Sequence, residues 1–317
     1  WDSVENRDHF SAPAAYMGHR LRAVLGVPVG FVGCNWGGTP AAAWTAAEEL
    51  DAVPALQAVL DWHSRACAEL DWPKYEADAL HPDKDPPPEQ REMLDALMMG
   101  GSPELLQKQR PPRPPEGFSP FEPGPKAAVR PTGLYENILR RVAPYGVRGV
   151  IWYQGEDDDA RGWHAFYDES MKALIQSWRR LWKRELPFLQ VELAPLHEGL
   201  GKALNYAVIR EKQRDVMDAL PGVHNVCILD AGDARNIHVR KKRPVGERLA
   251  ENMCMGKWSF WPTAPACAVP DGRTVRSPLN FCTAAAVFSG RKLPAGPCTL
   301  KRTEAWWPPK SMSVRIQ

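Results

Sequence analysis

The sequence lacks a long apolar segment, a strong charge of either sign and a regular spacing of cysteines or histidines. No run approaches the roughly 18 apolar residues of a transmembrane helix, so we expect no membrane span. The net charge is only +2, which gives no reason to expect a nucleic-acid partner. Seven widely spaced cysteines fit neither a dense disulfide framework nor a zinc site, and the eight histidines show no metal-ligand spacing. We therefore expect neither a metal nor a cofactor.

The two ends of the chain have unusual compositions. The chain begins at Trp1 with a polar stretch that does not resemble a signal peptide, and we expect a missing upstream segment. Residues 254–317 carry a charge of +7 and four of the seven cysteines, whereas residues 1–253 carry −5. This shift predicts a domain over 1–253 and a separate segment over 254–317. That segment is either a small β-rich appendage or the poorly folding end of a truncated or frameshifted gene.

Residues 82–131 contain 13 prolines, including the sequence PPRPP. Proline lacks a backbone N–H and biases the residue before it to extended geometry, which excludes a continuous helix or a central strand. We interpret the region as an insertion loop that is broken by one short helix around 103–109. A proline-rich peptide ligand is the alternative.

The remaining sequence alternates between helical and strand patterns. Amphipathic or capped patterns predict helices over 11–25, 41–50, 134–141, 163–183, 203–220 and 244–251. Short apolar runs predict buried strands over 27–33, 147–153, 188–194 and 224–229. This alternation implies an α/β fold with a parallel sheet covered by helices, whose active site lies at the carboxyl ends of the strands.

Two segments with candidate site residues directly follow predicted strands. The first, GCNWGGTP, contains Gly37 and Gly38, whose backbone N–H groups could stabilise an oxyanion; a simple tight turn is the alternative. The second, WYQGEDDD, contains Gln154, a candidate donor to a substrate oxygen, and Glu156, which could fix the loop. Its acidic run could bind a divalent cation, but a solvated helix start is the favoured interpretation.

The segment DAGDARNIH follows the fourth predicted strand. A histidine in a loop beside acids is the usual arrangement of a general base and its orienting partner, which makes His238 and Asp233 candidate catalytic residues. The alternative is that His238 is an ordinary surface histidine.

The combination of these segments resembles the sialate O-acetylesterase family of the SGNH hydrolase superfamily. The matching pieces occur in family order and are FSAPAAYMGHRL, VPVGFVGCNWGGTPAAAWT, RPTGLYENIL, GVIWYQGE, LPFLQVELA and NIH followed by VGERLA. The resemblance implies a three-layer α/β/α fold and hydrolysis of acetyl esters on sugars. It also implies a serine nucleophile, a histidine base and oxyanion donors from the serine turn, the glycine turn and the QGE turn.

Carried over to this sequence, the family's functional positions are held by a few residues. The base matches His238, the glycine block matches Gly37 and Gly38, and the QGE block matches Gln154 to Glu156. A further family segment, which we expect to shape the pocket, matches Thr132, Gly133 and Tyr135.

Two departures from the family pattern stand out. Family members carry their nucleophile in a Gly-Gln-Ser-Asn-Met turn on the first strand, and this sequence contains no such turn. We expect that turn and its strand to lie upstream of Trp1. The family's aspartate two or three residues before the histidine is replaced by Arg235 and Asn236, so Asp233 is the nearest acid and Asp230 the next.

These departures keep other interpretations open. Cys34 is a conceivable substitute nucleophile, although family members carry the glycine block at that place. A non-catalytic homologue or gene fragment that at most binds acetylated glycans is the main alternative function. A lipase or peptidase lacks support, because no Gly-x-Ser-x-Gly elbow is present. Relatives are often exported, which suggests a periplasmic or extracellular location; neither the particular sugar nor the oligomeric state is indicated.

Overall fold

The computed structural model describes residues 10–79, 123–196, 204–233, 237, 241–254 and 284–289. The helices are α1 (Ala12–Leu25), α2 (Ala47–Ala52), α3 (Gln57–Ala68), α4 (Trp72–Ala79), α5 (Arg140–Val142), α6 (Glu156–Ala160), α7 (Tyr167–Trp182), α8 (Tyr206–Ala219) and α9 (Arg243–Cys254). The strands are β1 (Val29–Cys34), β2 (Gly149–Trp152), β3 (Phe188–Val191), β4 (Val223–Val226) and β5 (Ala284–Ser289). Most of the proline-rich region, including its predicted short helix, lies outside the described residues. Within them, no helix is long and apolar enough to cross a bilayer.

Local sequence signals set several of these boundaries. Ser11 caps α1, with its hydroxyl oxygen accepting the Ala14 N–H at 3.4 Å, and Gly26 ends the helix in a left-handed conformation with φ of 64°. The helix predicted over 41–50 is interrupted instead. A 3₁₀ turn over Ala41–Trp44 is followed by the extended residue Thr45, and only then does α2 begin.

The strands form one sheet in the order β1-β5-β2-β3-β4. Strands β2, β3 and β4 are parallel, with Ile151 paired to Leu189 and Leu189 paired to His224. Every residue of β2 and β3 is buried, as expected for parallel strands covered on both faces. Helices α7 and α8 pack together as one layer, and α1 and α9 pack together as the other. The three-layer α/β/α fold predicted from the sequence is confirmed.

Strand β5 lies between β1 and β2 and is antiparallel to both. Its Ala286 pairs with Val32 on one side and with Val150 on the other. The composition predicted that residues 284–289 belong to a separate segment, either a β-rich appendage or a poorly folding end, whereas the structure places this strand within the main sheet. Most of the tail lies outside the described residues, so the domain boundary near residue 253 stays a prediction.

An aromatic cluster joins helix α7 to the centre of the sheet. The ring of Trp178 lies 5.9 Å from that of Trp152 in β2 and 5.8 Å from that of Phe188 in β3. Its indole Nε1 also donates a hydrogen bond to the Trp44 carbonyl oxygen at 2.9 Å. Large buried aromatic residues contribute much of the burial energy of a core, so one side chain of α7 fixes both strands and the segment that follows β1.

Helices α1 and α9 are in close contact at Gly246. A Cβ on Gly246 would lie 2.5 Å from the Pro13 carbonyl oxygen and 2.7 Å from the Met17 backbone nitrogen. Backbone atoms cannot move aside easily, so Gly246→Ala should lower the free energy of unfolding by about 1–3 kcal/mol, despite the better helix propensity of alanine. Chemical denaturation measures the change.

Gly146→Ala is the matched control, because a Cβ at Gly146 meets no atom within 4 Å. We expect this control to stay within about 0.5 kcal/mol of the parent. Equal effects of the two substitutions would contradict the close approach of α1 and α9.

Candidate active site

The glycine turn, residues 35–40, follows β1 at the carboxyl edge of the sheet. Gly37 and Gly38 are exposed there, and Gly38 has a left-handed φ of 69°, which favours glycine. The turn is held from below by the buried Thr39, whose hydroxyl donates to the Trp36 carbonyl oxygen at 2.7 Å and accepts from the Trp44 indole at 3.0 Å. The predicted oxyanion donors therefore lie on a fixed and accessible turn.

The QGE turn, residues 154–156, follows β2 at the same edge. Gly155 has a φ of 147°, and a Cβ there would lie 2.9 Å from Ile209 Cγ2 and 3.2 Å from Leu193 Cδ1. Both the backbone conformation and the packing against these side chains therefore require glycine. Glu156 is half-buried and is the first residue of α6.

Hydrogen bonds from the Gln154 side chain join the two turns. Its Nε2 donates to the Thr39 carbonyl oxygen at 3.1 Å and to Asp158 Oδ2 at 2.5 Å. The same Asp158 oxygen accepts the Ala41 N–H at 3.0 Å. The Tyr167 hydroxyl donates to the Gln154 carbonyl oxygen at 2.9 Å and also lies 3.1 Å from its Oε1. The amide nitrogen of Gln154 already donates to two protein acceptors. It could donate to an oxyanion only if one of these hydrogen bonds broke, so this role stays a prediction.

The acidic run after the QGE turn is buried rather than solvated. Helix α6 does begin there, as predicted, but Asp158 is 0% exposed and Asp159 is buried with its carboxylate accepting the Asn205 N–H. The expectation of a solvated helix start was wrong, because composition does not reveal that these acids bond to backbone N–H groups of other segments. Among the described residues, no group of three or more His, Cys, Asp or Glu could hold a metal ion.

Burial sets the electrostatics of Asp158. The pKa of its carboxyl group is raised from 3.8 to about 7, chiefly by removal from water and also by the nearby Asp157, against the opposing bonds from Gln154 and Ala41 and the charge of Arg161. Sequence reasoning missed Asp158 and Tyr167 as site residues. The sequence carries no local signal for Asp158, since it lies within a run of acids and its bond to Ala41 joins residues 117 positions apart.

The segment after β4 is described only in part. Asp230 forms a two-point ion pair with Arg248 of α9, at 2.8 and 2.7 Å. Asp233 is exposed, whereas Arg235, Asn236 and His238 lie outside the described residues. The pairing of His238 with Asp233 therefore stays a prediction.

Cys34, the alternative nucleophile, is poorly suited to that role. It is only 6% exposed and lies in an apolar environment with Val32, Leu139 and Trp178. Burial raises the pKa of its thiol to about 12, which leaves about one thiolate in 10⁵ at pH 7. The thiolate is the reactive form, so this environment disfavours nucleophilic attack.

The segment predicted to shape the pocket lies beside the glycine turn. Thr132 is buried with a left-handed φ of 66°, and its N–H donates to the Ala42 carbonyl oxygen at 2.9 Å. A side chain at Gly133 would meet Arg130 Cγ at 2.6 Å. Non-glycine residues rarely adopt this conformation, and they do so most often near functional sites. A role in the pocket for Thr132, Gly133 and Tyr135 stays a prediction.

This arrangement is a three-layer α/β/α fold whose candidate site, a glycine turn joined to a polar turn, lies at the carboxyl edge of the sheet. More particularly, residues 121–255 match the family model of the carbohydrate esterase, sialic acid-specific acetylesterase type. The match covers the QGE turn, β3, β4 and α9, and it confirms the family resemblance predicted from the sequence.

A solved acetylesterase structure is consistent with this match. A carbohydrate acetylesterase from Xanthomonas citri is similar with a TM-score of 0.53 and 26% identity, over 80% of this chain and 43% of that chain. This chain thus spans less than half the length of that enzyme. A protein from Arabidopsis thaliana has a TM-score of 0.32 and 24% identity over 43% of this chain and 56% of its own. Comparison with curated proteins gives no significant match.

The burial of Asp158 predicts a pH-dependent stability. Between pH 3.8 and about 7 the unfolded chain releases this proton while the folded chain keeps it. The stabilising contribution is therefore complete below pH 3.8 and is lost as the pH rises to 7, a change of about 4 kcal/mol. The Asp158→Asn variant cannot ionise at this position and does not lose this contribution. The difference in free energy of unfolding between the variant and the parent should therefore shift by about 4 kcal/mol in favour of the variant between pH 4 and pH 8.

Denaturant titrations at several pH values measure this difference. Asp233→Asn is the control, because it removes an acid that is exposed. Parallel stability profiles for the Asp158→Asn variant and the parent would contradict the predicted ionisation behaviour.

Proposed function

We propose that the protein containing this chain hydrolyses acetyl esters on carbohydrates, of the sialate type, by a serine–histidine mechanism. The observation that carries the proposal is the joining of the glycine turn to the QGE turn at the carboxyl edge of the sheet. The match to sialic acid-specific acetylesterases and the likeness to a carbohydrate acetylesterase support the same substrate class.

The mechanism assigns one step to each site element. His238 accepts the proton of a serine hydroxyl as the serine oxygen attacks the acetyl carbonyl carbon. Backbone N–H groups of Gly37 and Gly38, with the amide of Gln154 once it is released, stabilise the tetrahedral oxyanion, each donor contributing about 3 kcal/mol. His238 returns the proton to the departing sugar oxygen, and water then releases acetate from the acyl-enzyme.

The described neighbours of His238 in the sequence support this role. Ile237, directly before it, packs against the main core, and α9 begins at Arg243 shortly after it. The segment also follows β4, so it leaves the sheet at the edge where the two turns lie. These anchors support His238 as the base, with Asp233 as the acid that orients it.

The serine is the element that this sequence does not supply. Strands β1 and β2 both run antiparallel to β5, and therefore parallel to each other on its two sides. A parallel strand in the place of β5 would end between the glycine turn and the QGE turn. We place the serine on such a strand, in a Gly-Gln-Ser-Asn-Met turn upstream of Trp1.

A non-catalytic homologue is the second candidate function. Arg235 and Asn236 stand where the family usually has an aspartate. An asparagine can orient an imidazole through its side-chain oxygen, but it stabilises an imidazolium less than a carboxylate does. This substitution favours a protein that binds acetylated glycans without cleaving them.

Acetate release from p-nitrophenyl acetate and from an O-acetylated sialic acid tests the proposed activity. The chain as it stands should release acetate only at the background rate, because it lacks the serine. A form extended upstream through the serine turn should be active. Activity in the unextended chain that survives Cys34→Ser would contradict our placement of the nucleophile, and silence in both forms would favour the non-catalytic homologue.

The role of His238 has its own test in the extended form. His238→Ala should lower kcat/KM by at least about 100-fold, because general-base catalysis is lost. His19→Ala is the control, since His19 is exposed on α1 away from the carboxyl edge, and it should stay within about twofold. A His238→Ala variant with activity within a few-fold of the parent would overturn the base assignment.

A further inference from the structure

Asp158 lies at the junction of the two site turns. One carboxylate oxygen, Oδ2, accepts hydrogen bonds from the Ala41 backbone N–H, just after the glycine turn, and from the Gln154 side chain of the QGE turn. The residue is 0% exposed, and its other oxygen has no hydrogen-bond partner among the described residues. Burying a carboxyl group costs stability unless it is bonded, so this position is energetically expensive.

The hydrogen bonds at Asp158 help to orient the Gln154 side chain. Its carboxamide is held at the nitrogen by Asp158 and the Thr39 carbonyl oxygen, and at the oxygen side by Tyr167. Thr39 belongs to the glycine turn, so the bond to its carbonyl oxygen also ties the two turns together. Asp158 contacts both the Gln154 amide and the backbone that follows the glycine turn.

The charged neighbours of Asp158 do not replace these contacts. Asp157 and Arg161 of the same helix act on it, but the Arg161 guanidinium bonds to Asp157, at 2.6 Å. Among the described residues, the carboxylate of Asp158 accepts hydrogen bonds from the Ala41 N–H and from the Gln154 amide, and Tyr167 bonds to the other end of that amide. The carboxylate thus acts as a shared acceptor rather than as one partner of an ion pair.

We propose that Asp158 is a positioning residue of the site, whose single Oδ2 sets the distance and orientation between the glycine turn and the Gln154 carboxamide. This inference rests on the proposed esterase function for its kinetic consequence, but not for the geometry itself. An oxyanion hole requires donors that are fixed before the reaction, and a shift of about 1 Å can cost 100-fold in rate.

Kinetics of the extended form compare three variants. Asp158→Leu removes the acceptor and should lower kcat by about 100-fold while KM changes less than threefold. Asp158→Asn keeps an acceptor oxygen and should stay within about fivefold of the parent. Asp159→Asn, the control, alters the adjacent buried acid that bonds to Asn205 and should stay within about threefold. Near-parental kcat for Asp158→Leu, or equal losses in both Asp158 variants, would overturn the proposal.

Nuclear magnetic resonance tests the same geometry without any activity. The Ala41 backbone amide and the Gln154 side-chain amide of the chain as it stands should titrate with one shared midpoint near pH 7. Both responses should disappear in Asp158→Asn and persist in Asp159→Asn. Independent or absent responses would overturn the positioning role. If the signals titrate together while no form of the protein hydrolyses an acetyl ester, the positioning stands and the proposed function fails.

Discussion

The buried face of helix α7 is the surface on which the candidate site is built. At its first residue, the Tyr167 hydroxyl holds Gln154. Three turns later, Trp178 packs between strands β2 and β3 and bonds to the backbone that follows the glycine turn. Since one helix contacts both the QGE turn and the segment that follows the glycine turn, core packing brings the two turns close together, and the bonds at Asp158 connect them.

The fold could be predicted in large part because its signals are local. The continuous apolar runs that became β2 and β3 reflect burial on both faces, and Ser11 and Gly26 mark the ends of α1 through bonds within the segment itself. The position of β5 depends instead on pairing with distant strands, which no local pattern encodes. Its place in the main sheet was consequently not expected.

In the candidate site, too, residues with local signals were predicted and those that depend on distant contacts were not. Gly37, Gly38, Gln154 and Glu156 were predicted from their places after strands, and the structure puts both turns at one edge of the sheet. Asp158 was not predicted, because its role comes from two donors that meet only in the folded chain. An aspartate in a run of acids at a helix start has the same local sequence whether it is solvated or buried. His238 lies outside the described residues, so its assignment as the base still rests on the family resemblance.

The position of β5 has a consequence for the order in which the sheet is assembled. Strand β5 is separated from β1 by most of the chain, so during synthesis it leaves the ribosome long after the two strands that flank it. Until it arrives, β1 and β2 each have an unpaired edge, and such edges are templates for pairing with other chains. Closing the sheet also requires a very long loop, which slows folding. In the chain as it stands, β5, the last of the described strands, therefore protects the centre of the sheet from self-association, whereas in the extended form the upstream serine strand would take this place.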